Sequence, residues 1–412
     1  MQALTAQGAP ERLACSLALA AAASVLVSIA ASQILLALAL AALLLSGLRL
    51  RLPPIWLPLA LFLAGTLVSL AASQDPAAGR PQLRKLFVFL MLPVAFSALR
   101  RLDEARRLVL AWTGLAALSG ALGLIQFARK LAEARRQGVG FYDYYVAERI
   151  SGFMSHWMTF GGQLMIVGLL VAALLMFSGR ARGRTLALGL AAGLVIAAAL
   201  ALNMTRSIWL ASAAGGLYLV WFRRRRWLLA APVVLACGIW LAPESLRTRL
   251  VSIYRPRQEV DSNLHRLVRW RTGWRMIQAR PWLGLGPEMV RLRFMEYLPA
   301  DAPNPLPTGW YGHLHNLYLH YAAERGVPTA LALVWLLAQM FWDFLRAARR
   351  IPAGGGDARF LLHGAAAAVL AIAVSGLFEV NLGDSEVLML FLAVAACGYL
   401  AAEQAVREAA DA

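Results

Sequence analysis

The stretch TLALGLAAGLVIAAALALNMTRSIWLASAAGGLYLVWFRRRR, residues 185–226, decides the fold. Two apolar runs, 185–202 and 207–222, are split only by Asn203–Arg206 and closed by Arg223, Arg224, Arg225 and Arg226. Each run comes close to the roughly 20 residues that a helix needs to cross a bilayer. The pattern predicts a helical hairpin that enters the membrane, turns at a tight polar corner, and returns. Four consecutive arginines anchor its far end on the cytoplasmic side, because short cytoplasmic loops are enriched in Arg and Lys.

The rest of the chain repeats this logic. Of 412 residues, 60 % are hydrophobic and only 15 % charged, whereas a soluble domain carries about 45–50 % and about 25 %. Mean hydropathy is +0.61. Apolar runs fall at 13–31, 34–48, 55–72, 84–99, 108–128, 157–178, 185–202, 207–222, 227–242, 328–345, 361–378 and 385–402. The expectation is an all-α, polytopic integral membrane protein of about 12 transmembrane helices. It divides into spans 1–9 over residues 1–242, one large periplasmic loop over 243–327, and spans 10–12 with a cytoplasmic C-terminus over 328–412. The polar start, residues 1–12, lacks a signal peptide's charged-then-apolar design, so the first span is expected to remain as an anchor.

With the N-terminus cytoplasmic, the inner loops 49–54, 100–107, 179–184, 223–226 and 346–360 together hold 17 arginines. The segment 129–155 breaks the rule with Arg129, Lys130, Arg135, Arg136 and Arg149 on the outer side, which fits a fifth helix continuing above the membrane. Net charge is +18, and Lys85 and Lys130 are the only lysines among 40 basic residues. Nucleic-acid binding is set aside, because most arginines cluster between apolar runs where topology requires them. Cys15, Cys237 and Cys397 lie scattered in apolar stretches and form neither a disulfide framework nor a thiolate metal site.

The loop 243–327 carries eleven arginines against six acids between residues 243 and 315. Cations on the outer side oppose the positive-inside trend, so these arginines call for a ligand; resting on anionic headgroups is the plainer alternative. Within it, residues 265–281 read as an amphipathic interfacial helix. Leu267, Trp270, Trp274 and Ile277 share its apolar face, Arg266, Arg269 and Arg280 lie along one edge, and Arg271 and Arg275 lie beyond the other. Arg206, between two apolar helices at the lipid boundary, either snorkels or marks a substrate site.

No Walker, HExxH, CxxC or Gly-x-Ser-x-Gly motif occurs. His313, His315 and His320 match no helical metal-ligand spacing among themselves, so neither metal nor cofactor is expected. A general base working near neutral pH suits an imidazole better. Gly326 and Pro328 read as a break and then the first turn of the tenth span.

These residues resemble the bacterial O-antigen ligases. His315-Asn316, nine residues, Gly326, two residues and Thr329 fit that family's signature, and Arg206 with Leu210 fits its Arg-x-x-x-Leu element. Arg266 to Trp270, followed by Pro281-Trp-Leu-Gly-Leu-Gly286, is similar to the Arg-x-x-x-Trp…Pro-x-x-Gly-x-Gly stretch of the wider ligase–polymerase superfamily, and Arg149-Ile-Ser-Gly-Phe153 to a weaker element. The resemblance implies a glycosyltransferase in the bacterial inner membrane. It would move O-antigen polysaccharide from undecaprenyl diphosphate to a lipid A–core hydroxyl at the periplasmic face, without metal and with inversion. On that reading His315 is the base and Arg206 and Arg266 hold the diphosphate. His313, Asn316, Arg269 and Arg149 are further candidates. The alternatives are an O-antigen polymerase, a protein O-oligosaccharyltransferase of the same superfamily, or a transporter of lipid-linked sugars. Donor, acceptor and membrane lipids are the expected partners, and nucleic acid is not.

Overall fold

A computed structural model describes residues 9–47, 49–179, 183–252, 263–307, 309, 311–352 and 356–410. Among them every regular element is helical. Helices α1 (Ala9–Ser24) and α2 (Ile29–Leu45) form a hairpin, followed by α3 (Trp56–Ala71). Three short pieces come next: α4 (Pro76–Gly79), α5 (Leu83–Phe89) and α6 (Met91–Ala98). Then come α7 (Leu102–Gln137), α8 (Phe141–Ala147), α9 (Trp157–Phe177), α10 (Gly183–Leu202), α11 (Arg206–Arg224) and α12 (Ala231–Leu241). A stretch of short helices holds α13 (Glu244–Val251), α14 (Asn263–Ala279), α15 (Met289–Arg293) and α16 (Leu317–Arg325). The chain closes with α17 (Val327–Arg350), α18 (Gly356–Ser375) and α19 (Ser385–Ala410).

The chain is a polytopic membrane protein. Among the described residues seven helical segments are long and apolar enough to cross a bilayer: Pro76–Ala98, α7, α9, α10, α17, α18 and Ser385–Arg407. The other apolar runs fall short of that measure for identifiable reasons. The first two are divided at residues 25–28 rather than near 32, because Ser28 caps α2 by accepting a hydrogen bond from the Ala31 amide at 3.3 Å. The resulting α1 and α2 have 16 and 17 residues. Helix α11 carries arginines at both ends. The run 227–242 is not one helix: a 3-10 segment, Arg225–Ala230, precedes the 11-residue α12. Helix α7 runs for 36 residues, about 54 Å at 1.5 Å per residue, and so outreaches the roughly 30 Å hydrocarbon layer as its cationic end predicts.

Helices α9, α18 and α19 form the centre, with 78 %, 78 % and 83 % of their apolar windows buried, against 11 % for α10 at the edge. Small residues allow the close approach. A Cβ on Gly364 of α18 would meet Leu170 of α9 at 2.8 Å, and one on Gly215 of α11 would meet the Ala367 carbonyl at 3.1 Å. This rigid centre fixes the ends of α9, α11 and α18 relative to one another. The polar cluster described next sits on those ends.

Candidate functional site

The turn after α18 presents Glu379, whose amide bonds back to the Ser375 carbonyl at 2.9 Å. The start of α16 is lashed to the same turn. The Leu317 amide donates to the Gly376 carbonyl at 2.7 Å, and the Asn316 side-chain amide donates to the Leu377 carbonyl at 3.0 Å. Asn316 also caps α16 by accepting from the Leu319 amide at 3.0 Å. Asn316 therefore builds the scaffold: it holds the preceding residue, His315, over Glu379. His315 has φ +48, a left-handed conformation that costs of order 1–3 kcal/mol for a residue with a side chain. His315 Nδ1 lies 2.6 Å from one carboxylate oxygen of Glu379. Its Nε2 is the ring nitrogen not engaged with that carboxylate.

Arg266 of α14 donates from Nη2 to the other Glu379 oxygen at 2.8 Å. Ser207, in the first turn of α11, sits 3.5 Å from that same oxygen. One buried carboxylate thus joins α11, α14 and the His315 loop. The neighbouring Arg206 donates from Nη1 to the Ser252 carbonyl at 3.0 Å and hydroxyl at 3.3 Å. Burial raises the Glu379 carboxyl, and the nearby Arg266 cation opposes that rise most strongly.

The other candidates surround this core. Arg149 donates to the Thr205 hydroxyl at 3.2 Å and stacks its guanidinium 5.3 Å from Trp157; burial pulls its affinity for the proton down, and Arg249 adds to that. Arg249 itself donates to the Met204 carbonyl at 3.1 Å. Arg269, one turn along α14 from Arg266, turns into the protein with its guanidinium 5.2 Å from the Tyr311 ring. On α14 the apolar face splits. Leu267 and Trp274 are exposed as an interfacial helix requires, while Ile277 is buried with His265, Val268 and Arg269. Arg269 therefore belongs to the inward face rather than to an edge.

His313 accepts from the His315 amide at 3.2 Å, with the two rings 4.2 Å apart. Burial pushes both His313 and His265 down to about 4, so each is neutral at pH 7. Among the described residues no group of three or more His, Cys, Asp or Glu could hold a metal ion.

The two glycine motifs prove to be a single interlock. The Leu285 and Gly286 amides donate to the Ala323 and Glu324 carbonyls at 2.9 and 2.8 Å, and the Val327 amide to the Pro281 carbonyl at 2.7 Å. Gly284, at φ +69, lies so close that a Cβ would meet the Glu324 carbonyl carbon at 2.3 Å; one on Gly326, at φ +83, would meet the Trp282 carbonyl oxygen at 2.1 Å. Only glycine permits both the conformation and the contact. This clasp fixes the end of α16, as Asn316 and the Leu317–Gly376 bond fix its start beside His315.

Arg266 and His315 thus meet on Glu379, while Arg206, beside Ser207, reaches Ser252 instead. Glu379, Ser252 and Arg249 carried no motif in the sequence. The one sequence signal for Glu379 was an isolated acid between apolar residues in the turn after residue 378.

Among the described residues seven buried guanidinium nitrogens have no hydrogen-bond partner; four of them belong to this neighbourhood, Arg149 Nε, Arg266 Nε, and Arg269 Nε and Nη1, and the others are the Nε atoms of Arg106, Arg325 and Arg359. Each orphaned donor costs about 1–3 kcal/mol unless something outside the chain accepts from it. Residues 191–334, which span α11, the short-helix stretch and the start of α17, match the family model described as O-antigen ligase. No curated protein matches the chain.

Proposed function

We propose, from the match of residues 191–334 to the O-antigen ligase family model, that the chain is a member of that superfamily and transfers O-antigen polysaccharide from undecaprenyl diphosphate to a lipid A–core hydroxyl. The observation that carries this reading is the convergence of Arg266, His315 and, through Ser207, the first turn of α11 on the single buried carboxylate of Glu379. A phosphate-ester donor needs cations where its leaving charge develops. Arg206 and Arg266 fill that role through charge-assisted, bidentate bonds, with Arg149, whose Nε has no partner among the described residues, as a further donor.

The chemistry is a single displacement. His315 Nε2 takes the proton of the acceptor hydroxyl as that oxygen attacks the anomeric carbon. The bond from that carbon to the diphosphate oxygen breaks, and its electron pair leaves with the undecaprenyl diphosphate. Glu379 is a positioning residue: by accepting from His315 Nδ1–H it leaves the Nε2 lone pair available. A diphosphate leaves readily, so one base and the arginines suffice, no metal is needed, and the anomeric configuration inverts.

In the bacterial inner membrane this site faces the periplasm and the Arg223–Arg226 end faces the cytoplasm, with twelve passes in all. Two features favour the ninth pass. Arg206 and Ser252 touch at one end of α11, and the 19 residues of α11 carry the chain about 28 Å away from them. The return over the six-residue 3-10 segment and the 11-residue α12 covers about the same distance at roughly 2.0 and 1.5 Å per residue.

In vitro transfer from the lipid-linked donor to lipid A–core tests the reading, with anomeric analysis of the product. His315→Ala is expected to lose about 10²–10⁴-fold in kcat while donor binding survives. Normal turnover of that variant removes the base assignment, and elongation of a repeat-unit acceptor in place of lipid A–core makes the protein a polymerase.

A further inference from the structure

A second polar cleft, of about 360 Å³, opens beside the cluster. His313, His156, His320, Lys85, Gln82, Glu288, Arg291, Asn381, Glu324 and Asp384 line it, but Arg206, Arg266 and His315 do not. His313 is common ground: it forms a wall of the cleft, and its ring stands 4.2 Å from that of His315. Resting on the transfer reading above, we propose that this cleft seats the acceptor sugar, and that the sugar it takes is neutral and hydroxyl-rich, without a phosphate or carboxylate on the reacting ring.

The charges decide which substrate goes where. A diphosphate belongs with Arg149, Arg206 and Arg266. The second cleft instead mixes the acids Glu288, Glu324 and Asp384 with Lys85 and Arg291. Arg291 lies 3.4 Å from Glu288, Lys85 donates to the Gly383 carbonyl at 2.8 Å, and burial raises Glu324 to about 7 and Asp384 above its ordinary range. Its cations are committed and its acids paired or partly protonated, so the cleft gives an anion little to bind, while its carboxyl and amide groups accept from and donate to sugar hydroxyls. His320 adds a polar wall: its Nε2 lies 3.6 Å from Glu324, and its buried Nδ1 has no hydrogen-bond partner among the described residues. Glu288 is held at φ +71, so a strained residue presents its side chain to Gln82 at the mouth. Strain of this kind persists where the surroundings over-determine it, and it gathers at ligand clamps. A sugar entering here passes His313 to bring a hydroxyl to His315.

The test separates binding from transfer. Calorimetric titration of the full-length protein in detergent uses lipid-free core oligosaccharide ending in a neutral hexose as the probe. Glu288→Gln and Asp384→Asn are each expected to weaken its Kd about tenfold, the worth of one hydrogen bond to a charged group, and Gln82→Ala about two- to tenfold, the worth of a neutral one; all three should raise the acceptor KM alike with donor KM unchanged. His315→Ala and Arg206→Ala should leave oligosaccharide binding intact. An oligosaccharide phosphorylated on the terminal sugar should bind the wild type at least about tenfold more weakly and regain affinity in Glu288→Gln. Unchanged oligosaccharide affinity in all three cleft variants, or a rise in donor KM instead, overturns the cleft assignment while leaving the transfer reading in place. Oligosaccharide binding that the cleft variants abolish, in a protein that consumes no lipid-linked donor, upholds the cleft and overturns the transfer reading.

Discussion

Helix α11 begins and ends in arginine, and its two ends treat that residue in opposite ways. At one end Arg206 is half-buried and bonded to the Ser252 carbonyl, with Arg149, Arg249, Arg266 and Arg269 packed around the neighbouring turns. At the other, about 28 Å away, Arg223, Arg224, Arg225 and Arg226 all stand exposed. Exposed arginines fix orientation through their charge alone and need no particular geometry. Buried ones must each be given a partner, because an uncompensated buried charge is strongly destabilising. What distinguishes the candidate site from a topological anchor is therefore burial rather than the number of cations.

Removing the hub should produce the largest effect. Glu379→Ala takes the shared carboxylate from both His315 and Arg266. Breaking a buried pair costs about 3–5 kcal/mol of stability, and transfer should fall by roughly 10²–10⁴-fold as the imidazole loses its orientation. Glu379→Gln keeps the shape and should retain more stability, yet it alters the pH profile of kcat by replacing the charged acceptor on Nδ1 with a neutral amide. If kcat and its pH profile survive in the Gln variant, the carboxylate is merely structural.

A smaller effect separates the two ends directly. Arg266→Lys keeps the charge but loses the planar fork, and transfer should fall about 10–100-fold, the value of one bidentate contact at roughly 1.5–3 kcal/mol. Arg225→Lys, at the exposed end, should change transfer less than about twofold. Equal effects at both ends would erase the distinction that burial draws.

The same contrast explains what could be read in the sequence. Arg206, Arg266 and His315 were legible because each lies beside a recognisable spacing of Leu210, Trp270 or Gly326. Glu379 was not: it stands 64 residues from His315, beyond two membrane helices, α17 and α18, and no periodicity links the two. Helical arithmetic placed Arg269 with Arg266 along one edge but could not say which edge faces protein, since Tyr311 and Leu314, which cover α14, lie in the loop beyond it. The apolar runs located most helices. Their count differed where a short polar cap, such as Ser28, or a run of arginines, such as Arg223–Arg226, decided the helix ends.

Acidification should sharpen the comparison by a smaller amount. An imidazole in the unfolded chain takes up its proton below about pH 6.5, whereas burial delays His265 and His313 to about 4. Between those values the unfolded state binds more protons, so stability falls as pH falls. Moving from pH 7 to pH 5 should cost about 1 kcal/mol for each histidine once residual hydration is allowed for. Thermal unfolding in detergent should show a lowered Tm at pH 5, and His265→Gln with His313→Gln should shrink that drop by their own share, the buried His320 contributing in the same direction. A drop unchanged in the double variant would assign the acid sensitivity elsewhere.

The smallest effect belongs to an exposed pair on the same short-helix stretch as the site. Arg271 makes two bonds to Asp301, at 2.7 and 2.8 Å, with both side chains about half exposed or more. Water screens such a pair, and holding two long side chains together costs rotamer freedom, so exposed ion pairs contribute roughly 0.2–1 kcal/mol. Arg271→Ala should shift Tm by no more than a degree or two and leave transfer within about twofold, although Arg271 lies only five residues from Arg266. A double-mutant cycle with Asp301→Ala measures the coupling directly. Coupling above about 2 kcal/mol, or a loss of transfer comparable to that of Arg266→Lys, would mean that exposure does not divide anchoring arginines from working ones in this protein.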